Sequence, residues 1–220
     1  MTYRAVIFDL DGTLIDSEPI FRAVAKLAAL RFDREFSDEL FIDLLGLPGG
    51  QVEAGIRAAF GADFPMEAFR DSFGALWVEY VDEHGIASKP GVHDFVDHLG
   101  RERVPHAIAT STQHDRARES LAIAGLGDRF EHLVGGDQVA NGKPAPDIYL
   151  TAAARIGVDP RHCIAIEDSK VGVLSAAAAG MHTIMIPDLK PPDDEARAHA
   201  DTILESMYDA MKLARALLER

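Results

Sequence analysis

Six short apolar runs, separated by helical patterns, limit this chain to a small set of architectures. They are YRAVIF (3–8), VPHAIAT (104–110), FEHLVG (130–135), CIAIE (163–167), HTIMI (182–186) and a weaker DTILES (201–206). Near-continuous apolar runs of this length suit strands buried on both faces. Between them, HDRARESLAIAGL (114–126), PDIYLTAAARIGV (146–158) and KVGVLSAAAAGM (170–181) carry apolar residues at helical spacing and stop at glycine. This alternation predicts an α/β chain, with a parallel sheet covered by helices on both faces.

One region breaks the alternation. No good strand lies between Ser17 and about Ser88, and four helical patterns fill the gap: EPIFRAVAKLAALRF, DELFIDLLG, QVEAGIRAAFG and MEAFRDSFGALWVEYVDEHG. So long a stretch is not a structureless loop inside a domain. The expectation is a helical domain over 17–87 inserted into a core made of 1–16 and 88–220, with SKPGV as the return hinge. PDLKPPDDEARAHA (187–200) reads as a polar, proline-rich loop.

Composition narrows the function. The 220 residues are 47% hydrophobic, which suits a real core. No apolar run reaches the ~18 residues of a membrane span, and no basic, apolar leader precedes the first strand. A net charge of −14 disfavours nucleic acid as a partner. The single cysteine, Cys163, permits no internal disulfide and fits a reducing cytoplasm. It begins an apolar run and reads as a buried thiol rather than a nucleophile.

In open α/β sheets, ligands sit beyond the carboxyl ends of the strands. Asp9 and Asp11 follow the first run, and Thr110, Ser111 and Thr112 the second. Lys143 lies in the segment after the third, and Glu167, Asp168 and Ser169 end the fourth. Carboxylates this close repel one another unless a cation sits among them. Oxygen ligands without a His/Cys cluster point to a hard cation such as Mg²⁺. Lysine and hydroxyl donors beside a metal suit a phosphoryl group, and an aspartate can serve as the nucleophile. His93 and His98 lie five apart on one predicted helix, so they are not stacked as metal ligands would be.

Four segments, in order, carry a family resemblance: DLDGTLIDSE, IATST, NGKPAPDIY and IAIEDSKVGVLSAAAAGM. They resemble the four motifs of the haloacid dehalogenase superfamily, in its β-phosphoglucomutase-like and small-sugar phosphatase subgroup. The resemblance implies a Rossmann-like core and an α-helical cap of the first type. It implies Asp9 as the nucleophile that accepts the phosphoryl group, and Asp11 as general acid and then base. Mg²⁺ would bind the Asp9 side chain, the Asp11 carbonyl and Asp168, with Glu167 behind. Thr110, Ser111 and Lys143 would hold phosphoryl oxygens. The implied activity is hydrolysis of a small phosphorylated metabolite, a sugar or sugar-acid phosphate.

The cap would choose the substrate, with LLGLPGGQVEAG as a mobile specificity loop. The mutase branch carries a cap histidine and a cap arginine. Phe21 and Gly49 stand near those positions here, which favours a phosphatase over a β-phosphoglucomutase-like isomerase unless Arg22 or Arg57 substitutes. Phosphoglycolate phosphatase is a further alternative. A phosphonoacetaldehyde hydrolase would need a Schiff-base lysine, and Lys26 has no obvious apolar pocket. Asp11 and the implied Mg²⁺ set speak against dehalogenation. A phosphometabolite-binding module with a degenerate core is the non-enzymatic rival.

Overall fold

The computed structural model describes residues 2–47 and 49–218. In chain order the elements are β1 (Ala5–Phe8), α1 (Glu18–Leu30), α2 (Asp38–Leu44), α3 (Gly49–Phe60), α4 (Met66–His84), α5 (Val92–Glu102) and β2 (His106–Ala109). There follow α6 (His114–Ile123), β3 (His132–Val134), α7 (Asp147–Arg155), β4 (Cys163–Glu167), α8 (Lys170–Ala178), β5 (His182–Met185), α9 (Asp194–His199), β6 (Thr202–Ile203) and α10 (Met207–Leu217). The chain divides into two compact units, Met1–Ile15 with Ala87–Arg220, and Asp16–Ile86.

The first unit holds a six-stranded sheet in the order β3-β2-β1-β4-β5-β6. Every pairing is parallel. All six apolar runs therefore become strands, and β1 lies near the middle, buried on both faces. Alternation of side chains then sorts the residues. On one face Ala5 and Ile7 of β1, Ala107 and Ala109 of β2, and Cys163 and Ala165 of β4 pack against Ile148, Tyr149, Ala152 and Ala153 of α7 and Ala176 of α8. On the other, Phe8 meets Phe95 of α5 and Phe130 edge-on, at 5.3 and 5.9 Å between ring centroids. The alanines let α7 sit close to the strands.

Two register facts position the site. Val6 of β1 pairs with Ile164 of β4, and Phe8 with Ile166, so both strands end side by side. Asp9 continues the face of Ile7, and Glu167 continues the face of Ala165. Their carboxylates thus emerge together, on the α7 side. The chain leaves and rejoins this unit through a narrow neck: Ile15 bridges Ser88, and the Lys89 N–H donates to the Leu14 carbonyl at 2.9 Å.

The second unit is helical, built on α1 and α4 with an aromatic interior. Phe32, Phe60, Phe64 and Phe69 make a chain of ring contacts at 4.9–6.1 Å. Half-buried Trp77 packs on Phe21 at 4.5 Å, in a second ring group that also holds Phe73. The expected glycine-rich loop is shorter than its composition suggests. Gly49 and Gly50 form the first turn of α3, and Gly55 lies inside that helix. A Cβ on Gly55 would collide with Leu44 of α2, so this glycine sets a helix contact rather than a hinge. Pro48 lies outside the described residues.

Two further helices complete the first unit, one of them where a polar loop was expected. The proline-rich 187–200 segment contains α9, because Asp193 caps it, accepting the Ala196 N–H at 2.8 Å, and Asp194 and Glu195 fill the positive first turn. At the C-terminal side, α10 starts at Ser206, whose hydroxyl caps the Asp209 N–H. It buries Met207, Ala210 and Ala214 along one stripe.

Candidate active site

After β1 the chain turns sharply. The Leu14 and Ile15 N–H groups both donate to the Leu10 carbonyl, at 2.8 and 3.1 Å. Gly12 takes φ +78°, in the left-handed region that side chains disfavour. A Cβ there would also stand 2.5 Å from Asp168 Oδ2. Glycine is therefore needed twice: for the turn, and for the approach of Asp168 from the end of β4. The Thr13 hydroxyl fixes that approach, donating to Asp168 Oδ1 at 3.1 Å.

Lys143 reaches in from the segment before α7. Its Nζ donates to Asp9 Oδ1 and to Glu167 Oε1, each at 2.5 Å, with the side chain only 3% exposed. The Tyr149 ring lies 5.1 Å beneath the ammonium, and its Oη donates to Glu167 Oε1 at 2.8 Å. The other Glu167 oxygen accepts the Asp168 N–H, the Ser169 N–H and the Ser169 hydroxyl, at 3.1–3.2 Å. Five donors saturate this wholly buried carboxylate. Glu167 is thus a hub that fixes Lys143 and the turn into α8, rather than a group with lone pairs to spare. Gly172 packs so close to it that any Cβ would overlap the carboxylate.

From β2, Thr110 is buried and Ser111 exposed. The Thr110 hydroxyl lies 3.5 Å from Asp11 Oδ2, a marginal distance. Thr112 makes the better bond to the same oxygen, at 2.6 Å. Sequence reasoning noticed Thr112 as one hydroxyl among several and Tyr149 as part of a motif, and gave neither a role. Both lie just past functional positions in their motifs, but only the fold shows what they touch.

The electrostatics favour a cation. Burial lifts the Asp9 pKa to about 7, with Glu167 and Asp11 adding to the rise and Lys143 opposing it. Burial disfavours the Lys143 charge, but Asp9 and Glu167 outweigh that and hold it above the ordinary lysine range. Tyr149, buried beside Glu167, is held well above the ordinary phenol range and stays a neutral donor. Asp9, Glu167 and Asp168 each offer an oxygen within 4.8 Å of the others. Among the described residues this is the one such cluster of acidic, His or Cys side chains, and His93 and His98 are not in it. One lysine does not balance these carboxylates with Asp11 beside them. An all-oxygen donor set fits a hard divalent cation.

Residues 3–180 match the haloacid dehalogenase-like hydrolase family. The chain belongs to this family. Among its relatives is the phosphorylated carbohydrates phosphatase of Thermotoga maritima, 33% identical over 181 residues, covering 82% of this chain and 83% of the relative. A bifunctional riboflavin kinase/FMN phosphatase of Arabidopsis thaliana is 29% identical over 205 residues. The match takes in 93% of this chain but about half, 53%, of that protein's length. A similar solved structure is CbbY of Rhodobacter sphaeroides in complex with xylulose-(1,5)bisphosphate, with a TM-score of 0.80 and 27% identity over 94% of this chain and 95% of that one.

Cys163 is buried, its thiol pushed up to about 12 by burial first and by Asp159 second. It is a core residue. Three residues of the second unit raised by the sequence are also engaged. Arg22 and Lys26 both pair with Asp38. Arg57 binds Glu53 and the carbonyls of Ala62 and Phe64. No helix is long and apolar enough to cross a membrane among the described residues.

Proposed function

We propose that this hydrolase is a Mg²⁺-dependent phosphatase acting on a small phosphorylated metabolite, a sugar or sugar-acid phosphate, through an aspartyl-phosphate on Asp9. The observation that carries the reading is the shared Lys143 ammonium, held between Asp9 and Glu167 at the mouth of the sheet. The phosphatase names of the relatives support the substrate class.

The Asp9 side chain, the Asp11 carbonyl and Asp168 would hold Mg²⁺, with Glu167 behind. When bound, the cation supplies positive charge that keeps Asp9 ionised and offsets charge building on the phosphoryl oxygens. Two of the three Lys143 N–H bonds are committed to carboxylates, which leaves the third for a phosphoryl oxygen. Thr110 and Ser111 offer further donors from the β2 turn. Asp9 attacks phosphorus, the bond from phosphorus to the ester oxygen breaks, and Asp11 gives that oxygen its proton. Water then attacks the aspartyl-phosphate, Asp11 takes the proton, and inorganic phosphate leaves with Asp9 regenerated.

The engagement of Arg22 with Asp38, and of Arg57 with Glu53 and two carbonyls, supports a phosphatase over a mutase. Each guanidinium already has partners within its own unit. A cytoplasmic setting is part of the same reading, supported by the lone buried thiol.

The test is hydrolysis of 4-nitrophenyl phosphate and a panel of sugar phosphates. Turnover should vanish with chelator, return with Mg²⁺, and be lost in Asp9→Asn while the variant still melts cooperatively. Turnover on no member of the panel, or normal turnover in Asp9→Asn, refutes the reading.

A further inference from the structure

Among the described residues, Asp11 receives its side-chain hydrogen bonds on one oxygen alone. Both fall on Oδ2: Thr112 at 2.6 Å, and the marginal Thr110 contact at 3.5 Å. The donor is held unusually firmly. The Thr112 N–H donates to the Thr110 hydroxyl at 3.1 Å, folding the chain back just past β2. The Thr112 carbonyl accepts the Gly136 N–H at 3.0 Å, tying the turn to the segment after β3. Gly136 permits this contact, because a Cβ there would stand 2.5 Å from the Ser111 carbonyl oxygen. Thr112 is β-branched, so its χ1 is stiff once its backbone is pinned. Two independent turns, one after β1 and one after β2, therefore meet at a single short bond.

We infer that Thr112 is a positioning residue for Asp11: it pins Oδ2, fixes the plane of the carboxyl group and leaves Oδ1 as the oxygen that exchanges protons with the ester. The inference rests on the phosphatase reading above. While the Thr112 hydroxyl donates to Oδ2, Oδ1 is the oxygen left open to carry the proton of the acid form. In the first half-reaction that proton passes from Oδ1 to the departing ester oxygen as the phosphorus–oxygen bond breaks. In the second, Oδ1 takes a proton from the attacking water. Without Thr112 the carboxyl group rotates, and the proton is delivered from a spread of orientations. A positioned acid is worth about 10²–10⁴ in rate, and a disordered one keeps only part of that.

This role predicts a loss that depends on the leaving group. Three esters of one shape serve as probes: 4-nitrophenyl, phenyl and 4-methoxyphenyl phosphate, assayed with wild type, Thr112→Val and Thr112→Ser. Nitrophenolate departs without a proton, so the kcat/KM of Thr112→Val, which reports only the first half-reaction, should stay within about twofold of wild type on that ester. On 4-methoxyphenyl phosphate its kcat/KM should fall about 10-fold or more, steepening the dependence on leaving-group basicity. Thr112→Ser keeps the hydroxyl and should restore most of the loss. Thermal melting of all three proteins controls for folding. An equal fall in kcat/KM on all three esters, or a rise in KM alone, would assign Thr112 to phosphoryl binding and overturn the inference. So would a Thr112→Val protein faster than wild type, since Thr112 would then be holding Asp11 away from the ester. Absence of turnover by wild type on every ester would remove the phosphatase reading and this inference with it.

Discussion

Replacing Tyr149 by Phe removes one hydroxyl and keeps the ring that packs under Lys143. Tyr149 is the largest fully buried side chain in the described residues, and its Oη lies 2.8 Å from Glu167 Oε1. A hydrogen bond to a charged group is worth roughly 1.5–3 kcal/mol. Glu167 keeps Lys143 on the same oxygen and three donors on the other, so the carboxylate is not orphaned. That argues for the lower end, about 1.5 kcal/mol. For a chain of this length each kcal/mol moves Tm by about 2–4 °C, so the expected fall is about 3–6 °C. Calorimetry at pH 7 with chelator present measures it without involving the cation. A Tm within 1 °C of wild type would refute the claim that Glu167 is a hub whose donors each contribute. A collapse far beyond 6 °C would refute the argument that the remaining donors compensate.

Four other outcomes are expected. Asp9, with its pKa raised to about 7, binds a proton in the folded chain that the unfolded chain releases near pH 4. Its favourable contribution is thus complete below about pH 4 and lost as pH rises toward 7, so metal-free wild type should lose more stability than Asp9→Asn between pH 5 and 8. Mg²⁺ needs the ionised ligand, so its stabilising shift in Tm should be larger at pH 8 than at pH 5; an equal shift at both, in differential scanning fluorimetry, would exclude Asp9 as a ligand. Gly172→Ala should destabilise by at least the 1–3 kcal/mol or so of an overpacked core, because Glu167 has no room to yield, and a urea midpoint equal to wild type would contradict that. Cys163 should resist a thiol reagent such as DTNB in the native state and react at once in denaturant; rapid native labelling would place the thiol outside the core.

The sheet was legible because buried parallel strands announce themselves as apolar runs, and the polar residues ending them mark the functional edge. Failures arose where composition and position pull apart. Pro191 and Pro192 made 187–200 look like a loop, yet they only precede the Asp193 cap of α9. Gly49 and Gly50 suggested flexibility, but the first helical turn tolerates glycine, and α3 begins there. The helix α10 buries mainly alanine and one methionine, too faint a stripe to stand out. At the site, Asp9, Lys143, Glu167 and Asp168 were visible as residues following strands. The contacts of Tyr149 and Thr112 were not, since each depends on a helix or turn returning to a neighbouring strand end. Sequence spacing carries direction along a strand, but not which hydroxyl meets which oxygen.

The neck at Ile15 and Ser88 has an evolutionary consequence. The core itself clasps the two ends of the intervening segment, through the Ile15–Ser88 bridge and the Lys89-to-Leu14 bond. Closing the loop is thus no burden on whatever is inserted there, and doubling its length would cost only about 0.6 kcal/mol of chain entropy. Residues 16–86 can lengthen, shrink or be exchanged for another fold with the strand register of β1 and β4 intact. The inserted unit and the core that carries it are then separate heritable traits of one gene, free to change at different rates.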